Sequence, residues 1–185
     1  MISYTITLII GITFLFLFLG PRATLEEAPA LMNEEYLVYS AVITQMYGES
    51  QGDPLVIRER ISKGERYPVD GRLKAQNPTL DDFKRKNEAG GKLSNDFTST
   101  SRVVLLSAEE ERALCSDDWA SFHEKYPHAS GVLSFSRVGL NQDRTEAVVY
   151  VDRMEGNLCG RGYLVLLSRG SEGWKIQQQC FLWIS

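Results

Sequence analysis

The sequence predicts an α+β domain in which N-terminal helices pack on a C-terminal four-stranded antiparallel meander, preceded by a hydrophobic leader. Three observations carry this. Four apolar and β-branched runs, at 131–140, 145–151, 161–169 and 174–184, close the chain. Short turn-forming stretches at 141–143, 155–157 and 170–173 separate them, and connections that short force neighbouring strands to run antiparallel. Ahead of them, capping signals and helix-period apolar spacing recur between residues 33 and 126.

The leader comes first. Residues 1–20 carry no charged side chain, and 6–19 are Ile, Leu, Phe, Gly and Thr only. Such a run belongs in a bilayer or a translocon, and its length falls between a signal-peptide core and a short membrane span. Three readings stay open: a signal peptide cleaved near Ala28-Pro29-Ala30, a retained membrane anchor, or a buried core helix. No Cys follows the run, so a lipoprotein anchor is excluded. The first two readings place the domain outside the cytoplasm, secreted, periplasmic or membrane-anchored, with the membrane or export machinery as the partner of residues 1–20. The organisation expected is 1–30 as signal or anchor plus linker and 31–185 as one domain.

In the domain, Asn33 reads as an N-cap, with Glu34 and Glu35 favoured in the first turn by the helix dipole. Tyr36, Tyr39, Ile43 and Met46 form one apolar face and Gly48 the stop. Pro54-Leu-Val-Ile-Arg58 and Arg102-Val-Val-Leu-Leu106 are short strands, and 62–78 is a long loop. Thr79-Leu-Asp-Asp82 reads as a capping box opening a helix that ends at Gly90-Gly91. Ser107-Ala-Glu-Glu110 is a second box, and Ser116 caps a further helix that stops before Pro127.

The chain has 185 residues and a net charge of −4, which gives no electrostatic reason to expect nucleic acid. Residues 54–92 hold ten Lys and Arg against six Asp and Glu, and residues 107–126 hold two against six. Two solvated faces that pair with each other account for this.

Few residues point to chemistry. His123 and His128 are five apart with Pro127 between them, so they cannot share a helix face as zinc ligands. There is no nucleophile elbow, P-loop or dinucleotide fingerprint, and no cofactor is implied. Gly160-Arg-Gly162 suits close backbone approach or a bulge. Strand alternation puts Arg137 on a face with Leu133 and Phe135, and Gln178 on a face with Trp174, Ile176, Cys180, Leu182 and Ile184. A buried guanidinium must be paired or must bind an anion. The alternatives are an Arg paired at the sheet rim with Glu146 or Asp152, a pocket in which Arg137 and Gln178 orient a polar ligand, or a bulge that resets the parity. Tyr163, just past the glycine pair, joins Arg137 and Gln178 as a ligand-binding candidate. Cys115, Cys159 and Cys180 allow a Cys159–Cys180 disulfide flanking the last hairpin, or three free thiols. Phe181 and Trp183 break the polar face of the last strand and need cover.

From about Tyr36 onward the chain resembles a family of uncharacterised bacterial proteins, commonly exported. The resemblance lies in Ser136-Arg-Val-Gly-Leu-Asn141, Ala147-Val-Val-Tyr-Val151, Leu158-Cys-Gly-Arg-Gly-Tyr163, Gly173-Trp-Lys-Ile176 and Trp183-Ile-Ser185. Such relatives often carry a further Cys where this chain has Glu155, so any local disulfide there is lost here. The helix-first order and Gly-Trp-Lys-Ile ending also look like nuclear-transport-factor-2-like and cystatin-like folds, which host unrelated functions. The expectation is a non-catalytic extracytoplasmic module that binds a protein or small molecule. A small hydrolase-like enzyme in the sheet concavity and a structural envelope protein are the alternatives.

Overall fold

The computed structural model describes residues 31–48, 53–61, 71–98, 102–116 and 119–185. The leader and the site near Ala28 lie outside the described residues. Helix α1 (Asn33–Val42) runs on into a π turn (Ile43–Tyr47) that stops at Gly48, whose φ is 73°. Strands β1 (Leu55–Arg58) and β2 (Arg60–Ile61) follow, then α2 (Asn77–Ala89), β3 (Gly91–Lys92), β4 (Val103–Leu106), α3 (Ala108–Cys115) and α4 (Ala120–Lys125). The chain closes with β5 (Val132–Phe135), β6 (Gly139–Leu140), β7 (Glu146–Gly156), β8 (Cys159–Gly170) and β9 (Gly173–Ile184). No helix among the described residues is long and apolar enough to cross a membrane.

The domain is α+β, but its sheet is larger than a four-stranded meander. Seven strands lie in the order β4-β1-β5-β7-β8-β9, with β6 also on β7. The antiparallel meander is present in β5 to β9, and β1 extends it by pairing parallel with both β5 and β4. The run at 131–140 is two strands, β5 and β6, separated by Ser136-Arg-Val138.

The helices cover both faces rather than one. Tyr39, Val42 and Ile43 of α1 pack on Leu133, Phe135, Val149, Val151, Val165 and Leu167. On the opposite face Phe83 of α2 packs on Val148, Tyr150, Leu164 and Leu166, while Trp119 and Phe122 pack on Val56, Leu106 and Val132. Strands β7 and β8 are therefore apolar at consecutive positions, because neither side meets water.

Local rules hold in part. Ser107 and Glu110 form the reciprocal capping box of α3. Thr79 does not cap α2, which already begins at Asn77 with Pro78 in its first turn. Its hydroxyl donates instead to Glu146 Oε1 at 2.6 Å. A bulge in β9 sets Ile176 opposite Leu167 but Gln178 opposite Leu166. Trp174 and Ile176 thus join the α1 core, while Cys180 and Leu182 pack with the α2 cluster. The expected single face from Trp174 to Ile184 is split at Gln177, since one extra residue reverses the side chains that follow, until a second register shift at Leu182.

Candidate functional site

Arg137 is buried on the α1 side, and its partner is neither Glu146 nor Asp152 but Glu35. Nε donates to Glu35 Oε2 at 2.9 Å and Nη2 to Oε1 at 3.0 Å, a bidentate pair between side chains 3% and 0% exposed. Lys86 of α2 reaches the same cluster, 3.5 Å from Glu35 Oε1, 2.9 Å from Asp82 Oδ2 and 3.0 Å from the Val138 carbonyl. Asn87 clamps the Arg137 backbone, accepting from its N–H at 2.8 Å and donating to its carbonyl at 3.0 Å. The Tyr39 hydroxyl donates to the Ser136 carbonyl at 2.8 Å. Burial, then the Glu35 charge, push that phenol well above its ordinary pKa, so it stays a donor. Residues 136–138 leave the ladder, and through that break helices on opposite faces share one ion network. Asp82 is partly desolvated, but Lys86 and the Leu140 amide hold its carboxyl below the ordinary range.

The three ligand-binding candidates do not converge. Gln178 sits on the α2 side, donating to the Arg72 carbonyl at 2.7 Å and accepting from Lys74 N at 3.0 Å. Tyr163 lies on the α1 side of β8, against the ring of Phe181 at 5.7 Å. The proposed Cys159–Cys180 disulfide is absent and all three thiols are free. The register explains it: Cys180 faces Leu164, five residues from Cys159. At ~3.3 Å per residue that is about 16 Å along the strand, far outside disulfide reach. Trp183 is covered within the chain. Its indole N–H donates to Tyr150 at 2.9 Å, and a Cβ at Gly162 would lie 2.3 Å from that nitrogen. The glycine pair thus makes room for an aromatic ring. Phe181 stays half exposed.

Tyr163 does border a pocket, with residues the sequence had not singled out. At the end of the sheet beyond α1, Arg153 of β7 stands directly opposite Arg161 of β8, and Tyr163 lies two residues on. These three, with Gln45, Met46 and Tyr47 from the end of α1 and Gln179 from β9, enclose 230 Å³. A small adjoining cavity, bordered by Asp53 and His128, shares Tyr47 and Arg153. The guanidinium of Arg153 stacks over the Tyr47 ring at 5.5 Å. Glu155 bridges the two arginines, pairing with Arg153 and lying 3.1 Å from Arg161 Nη2. Though partly desolvated, that carboxyl is held below its ordinary range by Arg153, the Cys159 thiol and Arg161.

Two polar atoms here are buried without a hydrogen-bond partner among the described residues: Tyr47 Oη and Arg153 Nε. Desolvation raises the Tyr47 phenol, which therefore keeps its proton. An unmade bond on a buried donor costs about 1–3 kcal/mol, and native folds satisfy nearly all such groups. Both belong to residues that line the pocket, although each atom is itself buried beneath its surface. The π turn that ends at Tyr47 is a feature common at functional sites.

A second polar cluster lies on the other face. Arg58 pairs with Glu111 at 2.6 Å, donates to the Ser134 hydroxyl at 2.6 Å and comes within 3.7 Å of the buried Asp152. Desolvation raises the Asp152 carboxyl, although Arg58 acts against it. Arg58 and Glu111 come from the basic and acidic stretches, which do pair here. His123 is exposed on α4 beside the ring of Phe122. No group of three or more His, Cys, Asp or Glu suited to a metal occurs among the described residues.

Comparisons of the chain with protein-family models, with curated proteins and with solved structures give no match. The fold and site define an α+β domain with a mixed, doubly covered sheet and a cationic pocket at one end.

Proposed function

We propose that the chain is a non-catalytic binding module working outside the cytoplasm, and that it takes a small molecule in the pocket between Tyr47, Arg153, Arg161 and Tyr163. The observation that carries this reading is the apposition of Arg153 and Arg161 on one cavity, two of whose lining residues, Tyr47 and Arg153, also bury donor atoms with no hydrogen-bond partner among the described residues. The sequence adds the apolar leader, which motivates the location. Arg137 and Gln178 drop out as ligand contacts, because each is held by the chain itself.

The test is a thermal-shift screen of small polar molecules on the full chain in mild detergent, repeated on Arg161→Gln and Tyr163→Phe. Both side chains reach the pocket from its accessible side, so the variants should fold. A compound that raises the melting temperature of the wild type and loses most of that effect in the variants is the expected result. Compounds that act equally on all three proteins would refute the pocket. Amino-terminal sequencing of membrane and secreted fractions checks the location. Recovery of the intact chain, start methionine included, as soluble cytosolic protein would overturn that part.

A further inference from the structure

The charges around the pocket narrow what it binds, an inference that rests on the binding reading above. Like charges placed directly opposite in an antiparallel ladder repel, yet Arg153 and Arg161 are cross-strand partners. Among the described residues Glu155 is the one carboxylate bound to them, and one negative charge against two positive leaves an excess of one there. Asp53, on the adjoining cavity, forms no ion pair with either arginine. The unpartnered atoms are both potential donors. A guanidinium has no acceptor at all, and a phenol held protonated offers O–H. Gln45 is engaged with the backbone, donating to the Trp174 carbonyl and accepting from Ile176 N. The polar wall therefore asks for an acceptor with about one negative charge.

The wall is mainly polar, with a smaller apolar part. Met46 and the rings of Tyr47 and Tyr163 border the same space, and methionine and aromatic carbons suit a hydrophobic or flat group. At 230 Å³ the pocket is below the ~300–1,000 Å³ typical of drug-sized ligands, so the molecule is small. Guanidinium groups match planar two-oxygen acceptors in particular. A phosphate monoester, at about −1.5 to −2 charge, would exceed the local positive excess. We infer that the pocket binds a small monocarboxylate, its carboxylate against Arg153 and Arg161.

The experiment uses the full chain, isotope-labelled and in mild detergent. It is titrated with monocarboxylates from acetate to benzoate, each beside its neutral amide, and with inorganic phosphate. The readouts are the arginine Nε–H and methionine methyl signals, with Arg153→Lys and Arg161→Gln assigning the arginines. Expected is saturable movement of the Arg153 and Met46 signals by the larger carboxylates, with each amide and phosphate at least about tenfold weaker and Arg161→Gln weakening the carboxylate about tenfold. Amides that bind as well as their acids, or tighter binding of phosphate, would overturn the carboxylate assignment and leave the pocket standing. If no probe moves those signals while the screen above yields a compound that depends on Tyr163, the ligand class is again wrong. If neither assay finds a ligand, both readings fall.

Discussion

Replacing Arg137 with Met should destabilise the fold as a broken buried ion pair does, not as a lost ligand contact would. Glu35 is fully buried, and Arg137 supplies two of its hydrogen bonds. Removing one member of such a pair costs about 3–5 kcal/mol, because the remaining charge is stranded without water. Lys86 stands 3.5 Å from Glu35 and offsets part of this, so the lower end, about 3 kcal/mol, applies. For a domain of this size each kcal/mol moves the melting temperature by roughly 2–4 °C, giving a fall of about 6–12 °C. Glu35→Leu together with Arg137→Met removes both charges. That double variant should recover to within about 1–2 kcal/mol of the wild type, since Lys86 keeps Asp82 and the Val138 carbonyl. Equilibrium urea unfolding followed by the fluorescence of Trp119, Trp174 and Trp183 measures all four corners of the cycle. A single-variant cost under about 1 kcal/mol, or a double variant that costs the sum of the singles, would refute the argument.

Gly139→Ala places a Cβ 2.4 Å from Phe83 Cβ and 2.5 Å from the Thr79 carbonyl, so α2 must move; a loss of about 1–3 kcal/mol in the same unfolding assay is expected, and a neutral result contradicts the packing. Asp152 holds its proton more tightly folded than unfolded, because it is desolvated, so stability is lost as pH rises from the ordinary carboxylate pKa through the raised one. Asp152→Asn should then be more stable than the wild type at pH 7 and equal to it in acid, and urea midpoints across pH would expose the opposite trend. Thiol titration of the non-reduced protein should count three free cysteines, Cys159 reacting first and Cys115 slowly, since burial and then Glu111 raise its thiol; a Cys159–Cys180 peptide in a non-reducing digest would contradict the register.

Much of the sheet was legible because β-strand signals are local. Alternation and short turns predict β7, β8 and β9, and the Ser107 box is a matter of four residues. What failed depends on distant partners. Runs as short as 55–58 and 103–106 do not say which strand they join, so the parallel edge went unseen. Helices on both faces could have been read from Val148-Val-Tyr-Val151 and Leu164-Val-Leu-Leu167, which are apolar without alternation. The rule that a buried Arg needs a partner held, but Glu35 lies 102 positions away. The Arg153–Arg161 apposition turned on where the hairpin bends. A turn at 155–157 misaligns them, and the observed turn at 157–158 together with the register shift between Met154 and Gly156 sets them face to face.

The ion network and the pocket are two consequences of how α1 lies on the sheet. Its first turn carries Glu35 to the break at 136–138, where Arg137 and Lys86 join it to the opposite layer. Pinned there, the helix covers Val149, Val151, Val165 and Leu167 but is too short for the far ends of β7 and β8. In that uncovered stretch the inward positions change from Val and Leu to Arg153, Arg161 and Tyr163. The helix adds one π turn, which sets Tyr47 beside Arg153, and stops at Gly48. Charged residues on the inner parity of central strands are costly unless matched, and Glu155 matches one of two. The position of the lock at one end therefore leaves the other end, among the described residues, cationic and short of one negative charge.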